Sequence, residues 1–117
     1  MAQLRVDGSE LVLELTRLEK FEAVHGSIRL PVSAITEVRA VSDPWPELRG
    51  IRAPGTGIPR VLAVGTRRGS FGKDFAVVHG AGEAVVVDLD EAADYHRLIV
   101  TTGDAVGLAA QIEAARR

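Results

Sequence analysis

Cysteine is absent from the 117 residues, which removes disulfides, thiolate nucleophiles, iron–sulfur clusters and every cysteine-containing zinc site together. The fold must be held by packing and polar contacts. Aromatic residues make up only 4% of the chain, too few stacking platforms for single-stranded nucleic acid. A formal net charge of −2 lacks the basic excess from which general nucleic-acid affinity arises, so nucleic acid is not an expected partner. Long apolar runs are missing too. The longest, residues 61–64 and 84–87, fall far short of the roughly 20 residues that cross a bilayer as a helix. Arg5, Asp7 and Glu10 interrupt the start of the chain, so no secretory signal is expected, and a cytoplasmic location is the default.

One further scarcity is local. Residues 48–73 hold Arg49, Arg52, Arg60, Arg67, Arg68 and Lys73 but no Asp or Glu, leaving eight cationic against sixteen anionic side chains elsewhere. The same segment contains Pro54-Gly55-Thr56-Gly57-Ile58-Pro59, which predicts a loop accessible to an anion or an acidic partner. Backbone amides around Gly55 and Gly57, with Arg49, Arg52 and Arg60 beside them and Arg67, Arg68 and Lys73 following, suit a phosphate or carboxylate: arginine forks match these anions and glycine permits close approach. The competing reading is a solvated loop whose arginines pair with the acidic remainder, the commoner fate of a surface charge run. The motif has neither the third glycine of a dinucleotide fingerprint nor the Gly-Lys-Ser/Thr of a P-loop.

What is present predicts one domain of about the size that buries two-thirds of its unfolded surface. Asp7-Gly8 between Leu4-Arg5-Val6 and residues 11–15 reads as a hairpin. Thr16 and Glu19 have capping-box spacing, Leu18, Phe21 and Val24 fall three apart and Gly26 follows, which predicts a short helix over 17–25; the alternative is the return arm of a hairpin. Residues 27–32 alternate as a strand that Pro31 places at an edge or ends. Residues 35–41 form another whose uneven pattern suggests a bulge. Asp43-Pro44-Trp45-Pro46 stops regular structure. Strands are expected at 61–66, 74–78, 84–88 and 97–101 as an antiparallel meander, then a helix over 104–117 with Ala105, Leu108, Ala109 and Ile112 on one stripe and Arg116 and Arg117 at its carboxyl end. Gly107 should weaken that helix by about 1 kcal/mol relative to Ala.

Other candidates are less specific. Asp88, Asp90, Glu91, Asp94 and His96 form an oxygen-rich cluster, but Ala93 stands where a calcium loop needs glycine, and an acidic turn explains the same residues. His25, His79 and His96 sit at predicted element ends. A hydrolytic arrangement would pair His79 or His96 with Asp94 and Ser70, Tyr95 or Thr101, yet no strand-to-helix nucleophile elbow is present. No catalytic residue, metal or organic cofactor is therefore expected. Trp45, the only tryptophan, either plugs an edge of the fold or serves as an interface anchor.

About seven strands from Leu11 onward, followed by a C-terminal amphipathic helix, resemble the element order of pleckstrin-homology-like (PH-like) domains. Ile28-Arg29-Leu30-Pro31-Val32-Ser33-Ala34-Ile35 with Val38 resembles the strand–proline turn of bacterial PH-like proteins. Residues 52–59, Phe75, residues 85–88 and Tyr95-x-Arg97-Leu98-Ile99-Val100 are similar to a group of small actinobacterial proteins of unassigned function. The resemblance covers nearly the whole chain. It implies a mainly β fold, α+β by count: a barrel of about seven antiparallel strands in two packed sheets, one end closed by the helix. It also implies a non-enzymatic protein-interaction or assembly module, with an unknown protein or a second copy as partner. An anion or anionic lipid bound by the 48–73 segment is the alternative. Phosphoinositide-binding PH domains carry basic residues in their first hairpin loop, whereas Asp7-Gly8-Ser9-Glu10 is acidic, so inositol phosphate recognition there is not expected. Fold alone assigns no activity.

Overall fold

Gly8, at φ 62°, supplies the left-handed residue of a tight turn that closes with Asp7 opposite Glu10. The computed structural model describes residues 2–23 and 26–116, and residues 52–54 through their backbone only. The turn joins β1 (Gln3–Asp7) to β2 (Glu10–Glu14), and β3 (Ile28–Pro31) completes a three-stranded antiparallel sheet. Pro31 ends β3 at the sheet's edge, where its missing N–H leaves no ladder bond unmade. Between β2 and β3 lies α1 (Arg17–Ala23), so the helical reading of this segment holds for these residues. Val24 and His25 lie outside the described residues.

The second sheet has six strands in the order β4 (Ile35–Val41), β8 (Ala84–Leu89), β9 (Arg97–Thr101), β7 (Gly72–His79), β6 (Leu62–Gly69), β5 (Ile51–Ile58). The uneven pattern of β4 does reflect a register shift, between Ile35 and Glu37. Three expectations are corrected. From Leu11 onward eight strands form among the described residues rather than about seven, because the Pro/Gly segment 51–58 is itself a strand and not a loop, and β1 brings the number to nine. Its edge position tolerates Pro54, and a register irregularity between Arg52 and Gly55 absorbs the misfit. The meander is broken as well: β9 inserts between β7 and β8 and runs parallel to β7. Burial explains the insertion. Leu98, Ile99 and Val100 are all buried, and a run that is apolar on both faces belongs at a sheet's centre and not at its edge.

One face of this sheet, through Val64, Phe75, Val77, Val85, Val87, Leu98 and Val100, shares a core with the small sheet's Leu4, Leu11, Leu13, Ile28 and Leu30. Among the described residues no ladder joins the sheets, so they stack and the barrel is not closed. α2 (Ala105–Ala115) adds fully buried Ala105 and Ile112 to the shared core, with Leu108 and Ala109 partly buried beside them. Asp104 caps α2 by accepting from the Gly107 amide at 3.0 Å. A side chain at Gly107 would crowd that carboxylate, so the glycine assists the cap as well as lowering helix propensity. Arg116 donates to Glu113 and to the Thr36 carbonyl, tying the helix end to β4; Arg117 lies outside the described residues. The opposite face of the six-stranded sheet, with Ala63, Ala76, Val78, Val86 and Ile99, is packed by Val41, Trp45 and Leu48.

Candidate functional site

Strand alternation divides the basic segment between two faces. Arg67 follows Ala63 and Gly65 on the Trp45-covered face of β6, while Arg68 follows Val64 and Thr66 on the other. Arg67 lies opposite Asp74, and Asp74 opposite Arg97, with Asp88 beyond, so a row of charges crosses four strands. Asp74 is 0% exposed, and Arg49 grips it with Nε at 2.6 Å and a terminal nitrogen at 3.0 Å. Bidentate pairing of this kind is what allows a carboxylate to be fully buried. The hydrogen bond to Asp74 raises the Arg49 pKa above its ordinary value, against the opposing effect of burial. The same guanidinium lies 4.1 Å from the centre of the Phe71 ring. Arg67 donates to the carbonyls of Arg49 (3.0 Å) and Gly50 (3.1 Å), holding the strap that carries Arg49.

The row continues as a network. Arg97 meets Asp88 at 2.6 Å and donates to the Glu47 carbonyl at 3.2 Å, while Arg39 meets the Glu47 carboxylate at 2.9 Å. That hydrogen bond to the Glu47 carboxylate pushes the Arg39 pKa up. Residues 43–50 are thereby fastened across the sheet. Trp45 donates its indole N–H to the Gly80 carbonyl at 3.0 Å and packs on the second core, so it plugs the sheet face and is half-buried.

Arg60, at the turn after β5, pairs with Asp43 at 3.0 Å, and this bond holds the exposed Asp43 carboxyl below its ordinary pKa. Arg49 precedes β5 and Arg60 follows it, so the whole strand separates them. Their guanidinium groups serve two different carboxylates. Gly55 and Gly57 are strand residues opposite Gly65 and Ala63 in β6. Arg52 lies opposite Arg67 in register, with its side chain outside the described residues. Arg68 and Lys73 are direct cross-strand partners, and the Lys73 ammonium lies 4.7 Å from the Tyr95 ring centre.

The acidic cluster does not converge. Asp88 turns to Arg97 and Arg39, and Asp90 accepts from the Ala92 amide. Among the described residues no group of three or more His, Cys, Asp or Glu side chains is placed to hold a metal ion. The Thr101 hydroxyl bonds the His79 amide and the Val77 carbonyl, and His79 meets Glu19, not Asp94.

That last contact belongs to an arrangement the sequence only half revealed. Thr16 and Glu19 form the reciprocal capping box, with Thr16 N to Glu19 Oε1 at 2.9 Å and Glu19 N to Thr16 Oγ1 at 3.2 Å. The other carboxylate oxygen accepts from the Ala2 amide at 3.0 Å and meets His79 Nε2 at 2.8 Å. Burial pushes the Glu19 pKa up, but these hydrogen bonds, led by that from Thr16 N, together hold it below the ordinary glutamate value. Glu19 thus pins α1 to β7 and to the start of β1. This corrects the expected apolar stripe of the helix: Glu19 and Ala23 face inward, leaving Leu18 65% and Phe21 82% exposed.

Compared with family models, curated proteins and solved structures, the chain matches none.

Proposed function

We propose that the protein is a non-enzymatic PH-like module for protein interaction or assembly, acting in the cytoplasm. The observation that supports this reading is the outward face of α1. A buried carboxylate with three hydrogen-bond contacts fixes the helix, yet its two large apolar side chains remain in solvent. A rigid, apolar, unpartnered face is what a docking site requires. Arg49 and Arg67 contribute to the scaffold through partners within the fold, while Arg60 pairs with Asp43 at the exposed surface. The PH-like relationship rests on two packed sheets with a C-terminal helix; the central parallel strand is its main departure. A photo-crosslinking residue at position 21, used in extracts of the native host, tests the reading. Specific adducts that vanish when Leu18 is also replaced by Ser support it, and adducts no different from those at exposed Glu37 contradict it.

A second reading, an anion or anionic-lipid surface, is favoured by the cross-strand register of Arg68 and Lys73, which sets two cationic residues side by side. Saturable amide shifts at Arg68 and Lys73 on sulfate addition, lost in Arg68→Gln, would support it; a silent spectrum would remove it.

A further inference from the structure

α1 carries Leu18 and Phe21 one turn apart, and at 100° per residue Phe21 stands opposite the inward side defined by Glu19 and Ala23. Arg17 and Lys20 lie together on one side of it, with Leu18 and then Glu22 on the other, and both cations are exposed and without an ion pair among the described residues. The helix therefore presents a convex knob, apolar at its tip and positive along one side. A recess of opposite charge lies elsewhere on the same molecule. An open recess of about 740 Å³ is walled by Phe71, Leu89, Ala92 and His96 and rimmed by exposed Asp90 and Glu91. Gly72 holds the wall close, since a side chain there would meet the His96 ring at 2.6 Å. The His96 Nδ1 atom is buried with no hydrogen-bond partner among the described residues.

Knob and recess lie at opposite ends of β7: Glu19 of α1 meets His79 at its end, and Gly72 at its start touches His96. Eight strand residues separate them by about 23 Å, too far for α1 to fill the recess of its own chain while pinned by Glu19. We propose that the protein self-associates head to tail, the Leu18–Phe21 knob of one copy entering the Phe71–His96 recess of the next, with Arg17 and Lys20 against Asp90 and Glu91. Charge complementarity selects a second copy over a neutral apolar partner. A heterologous contact of this kind builds open chains or rings instead of a closed dimer. The proposal rests on the assembly reading and names its partner.

Sedimentation equilibrium on the purified full chain, at rising concentration, tests it. Concentration-dependent oligomers are expected, with Phe21→Ser weakening association at least about tenfold, the effect of removing an interface anchor. Glu91→Lys with Ala92→Arg should weaken it similarly by blocking the recess. Unchanged melting temperatures establish that each variant is folded, and Lys20→Glu offers a second knob variant should Phe21→Ser fail that check. Mixed together, the knob variant and the recess variant should form one-to-one dimers that grow no further, because each retains the surface the other lacks. A wild-type protein that stays monomeric at millimolar concentration overturns the proposal, as does a mixture that forms no dimer. So does Phe21-dependent binding of the monomer to phosphatidylserine vesicles. If the purified protein is monomeric while crosslinks from position 21 to another protein persist in extracts, self-association fails and the interaction module stands.

Discussion

Residues 48–73 and α1 make opposite impressions in sequence and in space. The first is dense in arginine, yet Arg49 closes on a buried aspartate, Arg60 on Asp43, and Arg67 on two backbone carbonyls. The second is seven residues with an ordinary mix of charges, yet it leaves a phenylalanine almost wholly in water. Charge density marks a scaffold here, and the shorter, plainer element carries the free surface. The physical reason is economy of burial: a guanidinium satisfied by a carboxylate inside the fold has little left to offer a ligand, whereas exposed apolar area gains free energy whenever something covers it.

The contrast breaks most visibly at Arg49. Arg49→Met leaves Asp74 buried without its counter-charge and should cost about 3–5 kcal/mol in denaturant melts; a loss below about 1 kcal/mol would mean that the pair is solvated and that Arg49 is free to bind. Ile112→Ala comes next, expected to cost about 2–4 kcal/mol because the side chain is completely buried. Leu108→Ala, only partly buried, should cost nearer about 1 kcal/mol. Acid sharpens the α1 side of the comparison. The folded Glu19 pKa is depressed, so its contribution to stability is complete above the ordinary glutamate range and is lost as pH falls through the depressed value. Melting temperature followed from pH 6 to pH 3 should therefore decline less steeply in Glu19→Gln than in the parent; parallel slopes would place the carboxylate's stabilisation elsewhere. Smallest of all is Phe21→Ser, which should change stability by no more than about 0.5 kcal/mol, since its side chain touches mainly water.

Local signals carried much of the architecture. Asp7-Gly8, the Thr16/Glu19 spacing, the Pro31 strand end, the irregular β4 and the stripe of α2 each announce a structure that short-range stereochemistry enforces. What escaped depends on contacts distant in sequence. Pro54, Gly55 and Gly57 look like a loop because propensity does not know that the strand will lie at an edge, where one side of the backbone needs no ladder. β9 reads as the next strand of a meander, yet its burial on both faces draws it between two earlier strands. Leu18 and Phe21 mimic a core stripe, and only His79, 60 residues from Glu19, reveals which side of α1 faces inward. The candidate anion site was legible as a cluster and illegible as a geometry, because Asp74 and Asp43 lie 25 and 17 residues from the arginines they hold.

The central claim, that α1 is the free surface while Arg49, Arg60 and Arg67 are held by partners of their own chain, is tested most directly by amide spectra of the protein recorded from dilute to concentrated solution. The account predicts progressive shifts and broadening at Leu18 and Phe21, and at Phe71, Glu91 and His96 on the opposite end, with Arg49, Arg60 and Arg67 unmoved. Changes centred on those three arginines, with α1 unaffected, would contradict it.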